Sequence, residues 1–424
     1  MARGRPPTIL TSCRPRSRRE APTDTADDDV RVVEFPREAL KENADLTGYI
    51  AGHAHTVPRK RFGKSAWSLE TAAVDDLMAK IRENGVPLAE YAGTQPFAGI
   101  KTGLNEAFLI DTTTKDRLVR EDPGSAEVIK PYLRGQDIKR WSPEWRGLWM
   151  VFARRSIDID AYPAVKQHLQ QFRERLEPRP RDWSDGRWPG RKPGSYEWFE
   201  IQDSVDYWEL FEQPKIFYPD ITWRSSFCLD TEGRVSNNTV YFLPTRSAWL
   251  ITVLNSPLMW SFCWRNAAHG KDEALRFFND FTQRIPIAPP TDEMREVAEE
   301  SVRRLNALTA TERDARRDTL DWLRVEFGVE KPGQKLEAFA ALDADAFVEE
   351  VRKRRPKGEG RLTPATLRDL RSGYNEGAGP IRDARAEAAK LEGRLSDLVN
   401  EAYGLTPEET NLLWSTAPPR MPLF

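Results

Sequence analysis

The turn Lys101-Thr102-Gly103, with Asn105 just beyond it, carries side chains that could bind an anion. Because glycine allows a tight turn, the backbone amides and the Lys101 ammonium group could contact one phosphate together. The same residues would also suit a hairpin that only reverses the chain. The turn therefore predicts a phosphate contact or a simple reversal.

A second candidate is a basic region between residues 134 and 192, with 14 Lys and Arg against 8 Asp and Glu in a chain of formal net charge −2. Such a local excess is typical of a phosphate-binding surface. Arg can bind guanine, and Asn adenine, through paired hydrogen bonds. The predicted DNA contacts are Lys101, Thr102, Asn105, Arg134, Lys139, Arg140, Arg154, Arg155, Arg187, Arg191, Arg224, Asn237 and Asn238. The alternative is that many of these charges only coat solvated helices.

Acidic residues offer a competing hypothesis, a divergent magnesium-dependent nuclease. Asp220, Asp230 and Glu232 could supply oxygen ligands to the metal. Arg234 stands where such a centre would need a lysine, and Asp220 could equally end a strand and accept hydrogen bonds from turn amides. A third alternative is a protein-interaction module whose basic loops bind an acidic partner.

Other catalytic patterns are missing from the sequence. It contains no Gly-x-Gly-x-x-Gly, no phosphate loop ending in Gly-Lys-Ser/Thr and no Gly-x-Ser-x-Gly. His53 and His55 have a metal-compatible spacing but lie in a segment expected to be disordered, and His168 is expected at the surface. The three cysteines have no metal-ligand or redox spacing, so we expect neither zinc nor a disulfide.

Periodicity places these residues on elements. Val74, Leu77, Met78 and Ile81 recur at helical spacing, and residues 165–176 show a second helical face. Strands are predicted at 215–221, 226–229 and 239–243, and a strand, turn and strand at 97–110. The spacing of Trp141, Trp145 and Trp149 favours a core role over base stacking.

Composition indicates how the remainder of the chain is divided into segments and domains. Residues 1–66 mix Arg, Pro, Thr and Asp, which predicts a disordered or remnant segment. Helices are predicted at 293–327 and 384–403, and residues 331–380 look irregular. We therefore expect an α+β fold with a strand-rich domain at 67–290 and a helical domain at 291–424. No apolar run approaches the length of a membrane span and no secretion signal is evident, which predicts a cytoplasmic protein.

Five ordered segments carry a resemblance to a known family. They lie at residues 99–111, 129–141, 162–169, 215–230 and 254–258, and include Gly99-Ile100-Lys101-Thr102-Gly103 and Lys215-Ile216-Phe217-Tyr218-Pro219-Asp220. Together they resemble the TaqI-like C-terminal specificity domain of type II and IIG adenine-N6 methyltransferases and of PglX-like phage-defence methylases. Residues 398–409 resemble the helical tail of the same enzymes.

The resemblance implies sequence-specific binding of double-stranded DNA for an adenine-specific restriction-modification or phage-defence methyltransferase. The S-adenosylmethionine loop and the Asn-Pro-Pro-Tyr/Phe motif of that family are not in this sequence. We therefore expect no cofactor in this chain, no methyl transfer by the chain alone, and a methyltransferase catalytic domain or subunit as partner, which would bind S-adenosylmethionine.

Overall fold

The structure is a computed structural model that describes residues 8–12, 29–34, 46–58, 70–184, 186–356 and 362–423. The helices are α1 (Leu46–His53), α2 (Ala72–Glu83), α3 (Leu88–Ala92), α4 (Asn105–Phe108), α5 (Thr112–Glu121), α6 (Pro163–Gln170), α7 (Arg173–Leu176), α8 (Ala248–Asn255), α9 (Pro257–Asn266), α10 (Asn279–Thr282), α11 (Asp292–Phe327), α12 (Gly333–Glu337), α13 (Ala344–Arg354), α14 (Pro364–Ala402) and α15 (Pro407–Ser415).

The strands are short, and within the described residues they form five small sheets. They are β1 (Thr8–Ser12), β2 (Asp29–Glu34), β3 (His55–Pro58), β4 (Val86–Pro87), β5 (Phe97–Ala98), β6 (Leu109–Asp111), β7 (Ile129–Leu133), β8 (Leu148–Val151), β9 (Lys215–Pro219), β10 (Ile221–Thr222), β11 (Cys228–Asp230), β12 (Val235–Ser236), β13 (Val240–Leu243), β14 (Ala268–His269), β15 (Leu275–Arg276) and β16 (Pro286–Ile287). The mixture of sheets and long helices confirms the predicted α+β class.

Two four-stranded sheets position most of the predicted contacts. Their orders are β11-β9-β13-β5 and β12-β7-β8-β6. Apolar side chains of both sheets, including Tyr132, Met150, Phe217 and Phe242, form one buried cluster, which we call the sheet core. Lys215 on β9 has no exposed side-chain surface. Its buried charge is compensated by Asp230 on the paired strand β11, which accepts a hydrogen bond of 2.8 Å from the ammonium group.

A second cluster, the central core, joins distant parts of the chain. It packs α2, α8 and α9 against the first turns of α11 and the last turns of α14, with Trp249 and Tyr403 among its fully buried side chains. The Tyr403 hydroxyl donates to the Pro286 carbonyl at 2.6 Å and accepts from the Ala288 amide. The predicted division at residue 290 therefore does not coincide with a division between cores.

The helices α11 and α14 continue beyond the central core into a helical arm, which consists of the second half of α11, α12, α13 and the first half of α14. A third cluster, with Leu323, Phe339, Phe347 and Tyr374, fills the arm. At 1.5 Å per residue the 36 residues of α11 span about 54 Å, so one helix links two cores.

Glycines explain why the first half of α14 was not predicted as a helix from the sequence. A Cβ on Gly373 would lie 2.5 Å from the Trp322 ring, and one on Gly377 would lie 2.2 Å from the Thr319 hydroxyl, so glycine lets α14 approach α11 closely. Glycine and Pro380 lower local helix propensity, which made residues 331–380 look irregular. That prediction is wrong for the described residues, because they form α12, α13 and much of α14.

The described parts of residues 1–66 also differ from the expectation. Strands β1, β2 and β3 pair antiparallel, and Val32, Val33 and Val57 are buried. These β-branched residues favour strands, a signal that the overall polar composition concealed. Helix α1 precedes β3, and the rest of this segment lies outside the described residues.

Local predictions elsewhere had mixed outcomes. Strands β9, β11 and β13 confirm three predicted strands, and α2 and α11 confirm two predicted helices. The predicted hairpin at 97–110 is wrong, since β5 pairs with β13 while β6 pairs with β8 in another sheet. Of the helices in the described part of the chain, none combines the length and the apolar character that crossing a membrane requires.

Candidate nucleic-acid interface

A groove of about 1780 Å³ lies between the sheet region and the helical arm. Its walls come from residues 135–146, 219–226 and 239 on one side, from 309–316 and 334–338 on the other, and from 420–422 at one end. Seven basic and three acidic residues line it, namely Lys139, Arg140, Arg146, Arg224, Arg313, Arg316, Arg420, Glu144, Glu312 and Glu337. The lining is therefore positive although the chain as a whole is slightly negative.

The 134–146 loop of the first wall is fixed by a buried carboxylate. Asp137, which is fully buried, accepts a hydrogen bond of 2.9 Å from the Arg134 amide and two more from its guanidinium group. The hydrogen bonds to Asp137 raise the pKa of Arg134. Arg134 is thereby partly engaged in holding the loop, and Lys139 is left exposed on it.

The predicted contact Arg140 is an anchor of this loop. Its guanidinium group donates to Glu392 of α14 at 2.9 Å and to the Asn255 carbonyl at 2.8 Å. The indole of Trp141, which is buried as predicted, donates to the other oxygen of Glu392 at 2.5 Å. Burial lowers the pKa of Arg140 against the opposing effect of Glu392. These contacts direct the Arg140 guanidinium toward α14, although the residue also lines the groove.

The second part of this wall, residues 219–226, follows β9. Asp220 forms an ion pair of 3.0 Å with Arg276 of the neighbouring strand β15. Ser225 donates to the Asn255 side chain at 2.8 Å, and the Phe227 amide donates to the same oxygen. These contacts hold both ends of the segment in place. Arg224 lies between the two ends and is exposed in the groove.

The opposite wall is a face of α11. Arg313 and Arg316 are three residues apart, so they project from the same side of the helix. Glu312 accepts hydrogen bonds from Arg316 at 2.8 Å and from Arg385 of α14 at 2.6 Å. Arg316 also lies 3.8 Å from Glu144 of the facing wall. This contact spans the groove and links the arm to the 134–146 loop.

A second basic cluster, the Arg191 cluster, is buried. It consists of Arg155, Arg191 and the segment 197–202. The Arg191 guanidinium group donates to the carbonyls of Leu176, Thr102, Glu200, Glu197 and Trp198 at 2.7 to 3.2 Å. Arg191 is only 4% exposed, and burial lowers its pKa to about 10. The predicted base contact Arg191 therefore lies in the interior and not on an exposed loop.

Arg155 shares this role, because its guanidinium group donates to the Ile201 carbonyl at 2.6 Å and to that of Gln202 at 2.7 Å. Thr102 is buried, and its hydroxyl donates to the Asn105 side chain at 2.7 Å. Lys101 is exposed, while its backbone amide donates to Asp203. The Lys-Thr-Gly turn thus mainly closes the Arg191 cluster, with the Lys101 side chain left outside.

The remaining predicted contacts are spread over the surface. The Arg154 guanidinium lies 4.5 Å from the centre of the Trp208 ring, and Arg187 is exposed and is not among the groove residues. Asn238 is exposed next to Thr239, which lines the groove. The Asn237 amide group donates to the Thr239 hydroxyl at 2.7 Å. The structure therefore brings together Lys139, Arg140 and Arg224 in the groove, with Arg134, Asn237 and Asn238 near its rim.

The residues of the nuclease hypothesis do not form a metal site. Asp230 is buried between Lys215 and Arg234, and Glu232 accepts from Arg234 at 2.5 Å. Each carboxylate is thus already neutralised by a cation. No group of three or more His, Cys, Asp and Glu suitable for a metal ion occurs among the residues that the structure describes. His168 was expected at the surface but is buried against the Ala107 carbonyl, and burial lowers its pKa.

Residues 130–287 match the family model of the TaqI-like C-terminal specificity domain. We call them the TaqI-like segment; the match confirms the resemblance seen in the sequence. Residues 291–399 match a second model, a domain of unknown function (DUF8810). The groove lies between these two matched segments. Its first wall belongs to the TaqI-like segment and its second wall to the other.

The chain is also similar to a type II methyltransferase and to two restriction enzymes of known structure. It is 26% identical over 268 residues to the type II methyltransferase M.PaeR7I of Pseudomonas aeruginosa, covering 60% of this chain and 43% of that protein. Similar solved structures include the type IIL restriction-modification enzyme MmeI in complex with DNA, with 14% identity, a TM-score of 0.42 and 87% and 40% coverage of the two chains. Another is the type IIG restriction endonuclease BpuSI, with 13% identity, a TM-score of 0.34 and 90% and 36% coverage. The chain spans less than half the length of each.

Sequence reasoning missed several groove residues. Arg146 lies in the TaqI-like segment, whereas Arg313, Arg316 and Arg420 come from outside it. The spacing of Arg313 and Arg316 indicates a shared helix face, but nothing local says that this face is opposite the 134–146 loop. Trp223, next to the predicted Arg224, was also missed.

Proposed function

We propose that the chain recognises a specific sequence in duplex DNA on behalf of an adenine-N6 methyltransferase of a restriction-modification or phage-defence system. The observation that carries this proposal is the positively lined groove between the TaqI-like segment and the helical arm. DNA phosphates entering the groove would replace counterions with Lys and Arg side chains, and the release of those counterions favours binding.

The two walls suit different parts of the contact. Lys139 on the first wall and Arg313 on the second would hold phosphates of the duplex, since both line the groove. Arg224 and Asn238 are exposed on loops and carry the side chains that pair with guanine and adenine edges. Phosphate contacts fix the position of the DNA, and base contacts supply its sequence preference.

Methyl transfer itself is assigned to a catalytic domain or subunit that binds S-adenosylmethionine. The proposal rests here on the similarity to M.PaeR7I, of which this chain spans 43%. The recognition part would position one adenine for extrusion from the duplex and modification in the catalytic part. The complex would act in the cytoplasm, where it meets the DNA that it marks.

The test is a titration of the full chain with a pool of random duplexes and with the sequence selected from that pool, at several salt concentrations. Arg224→Ala or Asn238→Ala should weaken binding of the selected sequence by about 1 to 3 kcal/mol and leave binding of random duplex nearly unchanged. Arg187→Ala, at an exposed position that is not among the groove residues, is the matched control.

Two outcomes would contradict the proposal. The first is the absence of salt-sensitive binding to any duplex. The second is an effect of Arg224→Ala and Asn238→Ala on the selected sequence no larger than that of Arg187→Ala, which would mean that these two side chains do not contact bases.

A further inference from the structure

An aromatic ring is exposed inside the groove. Trp223 lines the groove and is 45% exposed. Its indole N–H donates to the backbone carbonyl of Asp272 at 3.1 Å. Because that N–H is the only strong polar group of the side chain, the surface that remains accessible is the apolar ring. Trp223 therefore presents a fixed, flat, apolar surface to whatever enters the groove.

The carbonyl that holds the ring belongs to an unusual turn. Asp272 and Glu273 have φ angles of 54° and 60°, in the left-handed region that residues other than glycine seldom adopt. The Arg420 guanidinium approaches the same Asp272 carbonyl at 3.5 Å. The turn thus places an arginine beside the indole and keeps both at one end of the groove.

The surroundings decide what the ring could contact. Arg224 follows it in the chain, and Arg313 and Arg316 line the facing wall. Ile221, two residues earlier on β10 and 42% exposed, adds an apolar side chain to the same wall. A flat aromatic surface among guanidinium groups matches a ligand that combines planar rings with negative charge, as nucleic acid does.

We propose that Trp223 stacks on a nucleobase of DNA held in the groove, at a point where that base has lost its stacking partner. This inference rests on the proposed DNA-binding function. In an undisturbed duplex both faces of each base are covered by neighbouring bases, so the ring can gain a base contact only where the duplex is opened or kinked. Trp223 would therefore favour DNA distorted at that position.

The experiment compares two duplexes of the same sequence, one fully paired and one with a single mismatch, in anisotropy titrations with the full chain. Wild-type protein is expected to bind the mismatched duplex more tightly, because opening a mismatched pair costs less. Trp223→Ala should weaken binding of the mismatched duplex by about 5- to 150-fold, the equivalent of about 1 to 3 kcal/mol. Its effect on the paired duplex should be smaller.

Two variants separate stacking from other effects. Trp223→Phe keeps an aromatic ring without the hydrogen bond to Asp272, and it should retain most of the preference for mismatched DNA. Trp183→Ala removes a tryptophan that is 39% exposed and is not among the groove residues, and it should leave both affinities unchanged. Urea unfolding of each variant shows whether the fold is intact.

The outcomes distinguish the two proposals. If wild-type protein binds neither duplex, the DNA-binding function is wrong and the stacking inference falls with it. If wild-type protein binds DNA but Trp223→Ala leaves its preference for mismatched DNA unchanged, only the stacking inference is overturned. Equal losses on both duplexes with Trp223→Ala, or loss of the preference with Trp223→Phe, would also overturn it.

Discussion

The Arg191 cluster and the groove are both rich in arginine, but their guanidinium groups have different partners. Arg191 donates to five backbone carbonyls of the chain itself, and Arg155 donates to two backbone carbonyls and to the buried Glu200 carboxylate. In the groove Arg224 is exposed, and Arg316 pairs with carboxylates. Lys139 and Arg224 are groove cations that are exposed and, within the described part of the chain, free of these pairings, so they face a space that an external anion can enter.

This difference shows why a count of basic residues does not locate a phosphate-binding surface. The segment 134–192 has 14 basic residues against 8 acidic ones. Arg191 and Arg155 lie in that segment, yet the structure uses them to hold loops together. A guanidinium group supplies five N–H donors, so it can satisfy several loop carbonyls at once. Arginine is therefore as well suited to organising irregular backbone as to binding DNA.

The largest expected effect is the loss of stability when the buried Arg191 guanidinium group is removed. Arg191→Met should lower the free energy of unfolding by about 3 kcal/mol or more, because five carbonyls lose a charged donor. Urea denaturation measures it. Arg187→Ala, at an exposed position, should change stability by no more than about 0.5 kcal/mol. Similar stabilities for the two variants would mean that Arg191 does not organise these loops.

A smaller effect is expected from the groove cations. Lys139→Ala and Arg313→Ala should each weaken binding to every DNA sequence and lower the slope of log affinity against log salt by about one. Arg155→Met, whose native guanidinium donates to two carbonyls, should leave that slope unchanged. Titrations over a range of salt concentrations check all three. A lower salt slope for Arg155→Met would indicate that the phosphate-binding surface lies at the Arg191 cluster.

The smallest effect concerns Glu312 on the arm. Burial raises the pKa of Glu312, but the guanidinium groups of Arg385 and Arg316 outweigh burial, so its pKa is lower than usual. Because the pKa of Glu312 is lower in the folded state, its ionised form stabilises the fold fully at pH values above the usual pKa of Glu. This stabilisation is lost as the pH falls through the folded-state pKa. Glu312→Gln should cost less than about 1 kcal/mol at neutral pH.

Glu312→Gln also removes a negative charge from the groove, so it should strengthen DNA binding slightly at neutral pH. Urea unfolding at neutral and acidic pH provides the check on stability. The difference between wild type and variant should shrink at acidic pH. A difference that grows on acidification would contradict the assigned direction of the pKa.

The amino-acid sequence determined the elements that depend on short-range periodicity. The spacing of Val74, Leu77, Met78 and Ile81 was sufficient for α2, and β9, β11 and β13 followed from apolar runs between turns. The resemblance to the TaqI-like specificity domain likewise depended on ordered local segments. Such features need only the geometry of neighbouring residues, which a sequence displays directly.

The tertiary structure decided which side chains face a common space. Arg191 binds a carbonyl 89 residues away and Arg140 a carboxylate 252 residues away, so neither partner was visible locally. Arg313 and Arg316 became part of the groove because the tertiary structure sets α11 opposite the 134–146 loop, where Arg316 lies 3.8 Å from Glu144. Whether a cation is buried on carbonyls or open to an anion depends on long-range packing, and a one-dimensional pattern does not contain those distances.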